Sequence, residues 1–399
     1  MTRRTAAFTG VAAVLAVVWV VAIHFLWQST VPSLDLPHID SQALFATPVL
    51  HRVEHYARGS RAWWALGTLA QLVALAAFAR WGVRWTRESA AGRMGTGMLL
   101  GMLGFALVWA AQLPTSVLGV WWAHRYGLSG LGYLDVTIGN WLALGGTFVF
   151  LCFALAIVMG FARLVGDWWW LPAAPCFAAL TLLFAFVSPW LLPGDRIADP
   201  GIRRDAARLE QIENVHVPIR VMSGVDEPNA FATGIGPSRR VFLWDPIIEP
   251  PFTRKEADVV IAHELGHLAH QHIWRQVGWY AIFAFPGAFL IARITRRKGG
   301  MANPEAVPLS LLVLVALGLV QLPLQNVITR RMEAEADWSA LRATRDPAAA
   351  TALFKTFVPE TLSEPSPPAW DYVLLENHPT IEQRIAMVRA WRERFGTKR

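Results

Sequence analysis

Seven apolar stretches, almost free of charge, divide this 399-residue chain at about residues 6–27, 62–79, 94–113, 137–162, 168–192, 277–294 and 307–327. A hydrocarbon core about 30 Å thick needs roughly 20 apolar residues of helix to cross it, and each stretch is close to that length. Only helices and closed barrels satisfy their backbone groups in lipid, and runs of this length read as helices rather than as short alternating strands. The chain is therefore expected to be a polytopic α-helical membrane protein of about seven transmembrane helices. The first stretch is longer than a signal-peptide core and lacks a small-residue cleavage site, so it reads as an uncleaved span.

Composition agrees with this reading. The chain is 54% hydrophobic and 16% charged, with a mean hydropathy of +0.36, against about 25% charged residues in soluble domains. The formal charge of +7 does not call for nucleic acid. Basic residues gather at the ends of apolar runs, as at Arg293, Arg296, Arg297 and Lys298, where phospholipid headgroups lie. The two cysteines, Cys152 and Cys176, sit inside apolar runs and supply neither a disulfide framework nor a thiolate cage. A metal, if held, must be held by histidine and carboxylate.

The exceptions to the apolar pattern set the organisation. Residues 1–193 form an N-terminal membrane domain of five helices. Residues 194–276 have ordinary polarity and read as a small water-facing α+β domain. Residues 277–327 hold the sixth and seventh membrane helices, and 328–399 return as a helical tail. Within the polar insert, Ile219–Met222 and Arg240–Trp244 are short and rich in β-formers, with turn-forming residues between them, which predicts a small sheet.

A helix is predicted from about 256 to 273, and it carries His263-Glu264-Leu265-Gly266-His267. Histidines at i and i+4 lie on one helical face at the separation a zinc ion requires, with Glu264 beside them as a general base. A third histidine three turns after the first is absent, since position 274 is Trp; His270 and His272 read as exposed or capping side chains. The better third ligand is downstream. Asn326, Arg330, Glu333 and Asp337 are spaced by four, three and four, which puts them on one stripe of a helix continuing from the seventh span. Glu333 completes the metal set, Asp337 accepts the free N–H of a ligating histidine, and Arg330 is expected to neutralise these carboxylates. Glu335 is rotated off the stripe and reads as structural.

These motifs together resemble the integral-membrane zinc endopeptidases of the CAAX prenyl protease type, which are related to the heat-shock-linked bacterial membrane metalloproteases. The resemblance also covers His124-Arg125-Tyr126-Gly127-Leu128-Ser129 and Asn229-Ala230-Phe231-Ala232. It implies that the α+β insert is a zincin-like catalytic domain completed by the tail, and that Asn229, Ala230, Phe231 and Ala232 form a strand along which substrate binds. His378-Pro379-Thr380-Ile381-Glu382-Gln383-Arg384 is similar to a late family motif, implying a catalytic role for His378 as an oxyanion donor and a substrate contact for Arg384. Asn326 and Arg330 belong to the supporting set around the metal.

The expected function is metalloendopeptidase action in membrane-protein processing or quality control. It needs one zinc per chain, a peptide or protein substrate that is itself membrane-associated, and the bilayer, with no nucleic acid. Only four of the 36 basic residues are lysine; this codon-usage signal suggests a GC-rich bacterial genome, hence an inner membrane, and disfavours a prenylated substrate. Basic residues are nearly balanced across the spans; the short loops alone favour an exterior active site, whereas the resemblance favours a cytoplasmic catalytic face. The alternative is a transporter or channel with a structural zinc, its path lined by Gln71, Gln112 and Asn140.

Overall fold

The computed structural model describes residues 17–85 and 91–396. A short apolar helix, α1 (Val17–Trp27), comes first; the rest of the expected first span, residues 6–16, lies outside the described residues. A single turn, α2 (Ser41–Leu44), follows a connecting strap. Then come α3 (Thr47–Trp81), α4 (Gly92–Tyr126), α5 (Asn140–Val165) and α6 (Trp170–Leu191).

The polar insert contains β1 (Asp195–Arg196), α7 (Pro200–Glu213), β2 (Ile219–Met222), β3 (Ala230–Thr233), β4 (Arg240–Trp244) and α8 (Arg254–Ala269). Helices α9 (His272–Thr295) and α10 (Val307–Thr344) return to apolar sequence, and α11 (Pro347–Thr361), α12 (Ala369–Leu374) and α13 (Ile381–Phe395) close the chain. Among the described residues six helices, α3 to α6 with α9 and α10, are long and apolar enough to cross a membrane. The protein is thus a multi-pass membrane protein.

Hydropathy understates these helices. Helix α3 starts at Thr47, well before the apolar stretch at 62, because its first turns carry polar residues that hydropathy does not mark. Helix α10 has 38 residues, about 57 Å at 1.5 Å per residue. Glu333 therefore lies roughly 9 Å past the end of the apolar stretch at 327, where the apolar helix continues into the core of the polar insert without a break. In the bundle, Gly97, Gly101 and Gly104 of α4 face Met159, Leu155 and Phe78 so closely that any Cβ would overlap them, the close approach that small residues give helices in lipid.

The insert is built by local signals. Asp199 caps α7, its Oδ1 accepting from the N–H groups of Gly201 at 2.6 Å and Ile202 at 2.8 Å. Thr253 and Glu256 form a reciprocal capping box that starts α8, satisfying donors otherwise orphaned. The four strands are ordered β1-β2-β4-β3. β2 and β4 run parallel, and β3 pairs antiparallel with β4, Ala230 opposite Leu243 and Thr233 opposite Arg240. β3 is an edge strand with one ladder face free.

Helix α8 is the centre of the water-facing core. Ile261, Ala262 and Leu265 have no exposed surface, and burying such an Ile or Leu contributes about 2 kcal/mol each. They pack with α7, the sheet, the end of α10, α11 and α13. Ile39 from the strap and Val53 from α3 belong to the same core.

Candidate metal centre

Two helices supply the centre, and small residues set their separation. A Cβ on Gly266 of α8 would sit 3.0 Å from the Ser339 Cβ and 3.4 Å from the Ala336 backbone of α10. Glycine within the histidine motif and Ala336 after Glu333 therefore let α8 and α10 approach closely enough for their side chains to converge. His263, His267 and Glu333 each offer a donor atom, and these atoms lie within 4.8 Å of one another. The His263 and His267 Nε2 atoms are 3.1 Å apart, and each faces a Glu333 oxygen, at 3.2 and 3.5 Å. Two imidazoles and a carboxylate converging in this way form a donor set suited to zinc, three protein ligands with room for a fourth.

His263 is oriented from behind. Its Nδ1 lies 2.9 Å from Asp337 Oδ1, so the ring donates there and presents Nε2 to the centre. Asp337 is held in turn by Arg384, whose Nε donates to Oδ2 at 2.8 Å and Nη2 to Oδ1 at 2.6 Å. Burial opposes a charge on His263, but the hydrogen bonds and charges of Asp337 and Glu333 outweigh it and raise the ring's pKa to about 10. A metal must therefore displace a proton from this nitrogen.

Several sequence expectations are corrected here. Arg330 does not neutralise the carboxylate stripe. Its guanidinium donates to the Tyr372 carbonyl at 2.7 Å and to the Glu376 carbonyl, and stacks 4.2 Å over the Tyr372 ring. Asn326 joins it, Nδ2 donating to the Val373 carbonyl at 3.3 Å. Both anchor α12 and the turn after it, where His378 stands. Arg384, expected against substrate, spends its fork on Asp337; it lines the cleft but its charge is committed. His272, expected to be exposed or capping, is buried, with Nδ1 2.8 Å from His267 Nδ1 and Nε2 3.0 Å from Glu335.

Glu264, His378, Asn229 and Ala230 line a cleft. Glu264 is buried on α8 and faces a cavity of about 330 Å³ shared with His263, Asn229, Ala230 and His378. His378 reaches in from the loop before α13, Nε2 3.1 Å from Glu333 Oε2 and Nδ1 2.6 Å from Asn377 Oδ1. A second cavity of about 190 Å³ lies on the other side, touching His267 and Gly234. The cavities adjoin the two ends of edge strand β3, so Ala230, Phe231 and Ala232 run between them. Phe231 stacks on Phe242, ring centroids 5.2 Å apart, which fixes the strand to the sheet.

Comparison with known proteins agrees with this geometry. Residues 202–392 match peptidase family M48. This stretch, just under half of the chain, is similar to an M48 peptidase domain. The chain is 24% identical over 236 residues to the uncharacterized metalloprotease YhfN of Bacillus subtilis, covering 54% of this chain and 55% of that one. It is 27% identical over 225 residues to a protease HtpX homolog of Kineococcus radiotolerans, covering 50% and 75%. The fold matches the crystal structure of S. mikatae Ste24p with a TM-score of 0.76 at 15% identity, over 94% of this chain and 96% of that one. The chain spans about half the length of YhfN. The resemblance to membrane metalloendopeptidases holds at the level of the M48 domain and the whole-chain fold.

Proposed function

We propose that the M48 domain makes this chain a membrane-embedded zinc metalloendopeptidase, and that one zinc per chain is held by His263, His267 and Glu333. The observation that carries the reading is the convergence of two Nε2 atoms and one carboxylate, donor atoms within 4.8 Å, beside a buried glutamate in a cleft bounded by an edge strand. When bound, zinc lowers the pKa of a coordinated water towards about 7 and polarises the scissile carbonyl.

The chain's own residues do the rest. Glu264 takes the proton of the attacking water and passes it to the leaving amine. His378 stands across the cleft with Nε2 directed inward and donates to the developing oxyanion. Asp337 fixes the tautomer of His263, while Asn326 and Arg330 hold the segment that carries His378. Asn229 to Ala232 align an extended peptide by strand addition, which selects on backbone more than on side chain.

The substrates this arrangement suits are unstructured peptide segments of membrane or membrane-associated proteins, in processing or quality control. The four-part organisation at 1–193, 194–276, 277–327 and 328–399 puts these residues where the insert meets the seventh apolar stretch. We place the protein in a bacterial inner membrane with the catalytic face cytoplasmic. A transporter with a structural zinc is less well supported. Gln112 donates to Gln71 at 3.4 Å across α3 and α4, so these amides are paired with each other; the Asn140 side chain lies outside those described. The purified chain is expected to hydrolyse an unstructured protein, to stop when a chelator removes its metal, and to recover when zinc is restored. Hydrolysis indifferent to the chelator would overturn the reading.

A further inference from the structure

The two histidines of the centre are backed by separate arms, and the second arm was not visible in the motifs. His267 points Nε2 at His263 Nε2 and Glu333, so Nδ1 is its outward atom. The group facing that atom is His272 Nδ1 at 2.8 Å. Two ring nitrogens this close require one to donate and the other to accept. With Nε2 of His267 kept free as a lone-pair donor, its proton sits on Nδ1 and His272 Nδ1 accepts. The proton of neutral His272 is then on Nε2, which faces Glu335 Oε2 at 3.0 Å. One assignment of protons satisfies both facing histidine nitrogens and the bond to Glu335.

Glu335 is itself fixed. Its Oε2 accepts from Arg275 Nη1 at 2.5 Å and its Oε1 from the backbone N–H of Thr30 at 2.5 Å. The His272 and Glu335 side chains are 1% and 2% exposed, so water does not compete for these bonds. Backbone geometry places the arm: α8 ends at Ala269, Gln271 turns the chain through a left-handed conformation with φ 54°, and His272 is thereby folded back under His267 as the first residue of α9.

We infer that His272 and Glu335 are positioning residues for the metal, a histidine-carboxylate arm that holds His267 in the Nε2-coordinating tautomer as Asp337 and Arg384 hold His263. The inference rests on the zinc reading. It adds that this tautomer depends on a chain of bonds ending in the strap between α1 and α2, so the strap's backbone helps to build the metal site. A polar partner behind a ligating histidine contributes about 10- to 100-fold in metal affinity.

The test is the zinc affinity of the full chain in detergent, measured by competition with a chromogenic chelator. His272→Phe keeps a buried ring but no acceptor and is expected to bind zinc about 10- to 100-fold more weakly. His272→Asn places an amide oxygen where Nδ1 stood but loses the bond to Glu335, and is expected to bind zinc more weakly than wild type and clearly more tightly than His272→Phe. Melting of each variant in excess chelator separates tautomer control from loss of fold. If His272→Phe does not fold, Glu335→Gln, which loses charge at constant size, decides the question by an expected loss of at least about threefold. A folded His272→Phe with wild-type affinity overturns the inference, as does His272→Asn binding as weakly as His272→Phe, or Glu335→Gln with no loss. A wild-type chain that takes up no zinc would instead remove the functional reading on which the inference stands.

Discussion

Asp258 shows how one residue of the ligand-bearing helix is held against its own chemistry. It faces α7 half-buried, its Oδ1 has no hydrogen-bond partner, and burial together with the nearby charge of Asp205 raises its pKa to about 6. A carboxyl whose folded pKa lies above its unfolded value binds more protons in the folded state between the two. Stability therefore falls as pH rises from about 4 to about 6, and the penalty is fully present above that window. Asp258→Asn is expected to stabilise the protein at pH 7.5 by on the order of 1 kcal/mol, after allowance for solvent screening. The gain should vanish below about pH 4, and thermal melts at the two pH values check it. The residue scale is also where sequence reading was strongest. Histidines at i and i+4, and Glu333 four residues before Asp337, share a helical face by geometry alone, and the structure brings them together. The same periodicity gave the face of Arg330 but not its rotamer. A long side chain at the rim of a stripe can reach either the stripe or the neighbouring element, and here the free carbonyls of α12 took it. Arg384 and His272 were missed for a related reason: their partners lie 47 and 63 positions away in sequence, and no local pattern encodes such a pairing.

At the scale of elements, the site depends on how closely α8 and α10 cross. Gly266 and Ala336 are the contact, and Ala336 is fully buried. Ala336→Leu is expected to force the helices apart, costing about 1–3 kcal/mol. Because the proposed ligands stand on both helices, the same change should weaken zinc binding more than an equally destabilising substitution elsewhere in the core. Paired melting and zinc titrations, with Leu353→Ala on α11 as the comparison, check this; equal zinc affinity in the two variants would contradict it. The elements themselves were legible where the signal was local. β2 and β4 fall at Ile219–Met222 and Arg240–Trp244 as predicted, since short β-branched runs between turns leave little choice. Helix lengths were not legible from hydropathy, because α3 and α10 run out of the apolar layer into polar sequence without a break.

Across the whole molecule, membrane helices and catalytic part are tied at several points beyond the continuity of α10. Arg61 of α3 binds Asp371 of α12 at 2.5 Å and also pairs with Glu364, on the loop that lines the larger cavity. The loop after α4 donates the Gly130 N–H to Asp226 at 2.6 Å, and Arg331 of α10 reaches the Trp27 carbonyl at 3.0 Å. Separate runs of polar and apolar sequence suggest separable parts; the side chains join them. Arg61→Ala should release the segment 363–371, seen as faster amide hydrogen exchange there with protection of α8 unchanged. Exchange unchanged at 363–371 would show that the loop is held by other contacts.

That these joined parts form a zinc peptidase in which Glu264 moves the proton is our proposal, and one preparation of Glu264→Gln decides it, with zinc content and hydrolysis of an unstructured protein measured together. About one zinc per chain with turnover at least about 100-fold below wild type is the predicted result; bound zinc with wild-type turnover would contradict it.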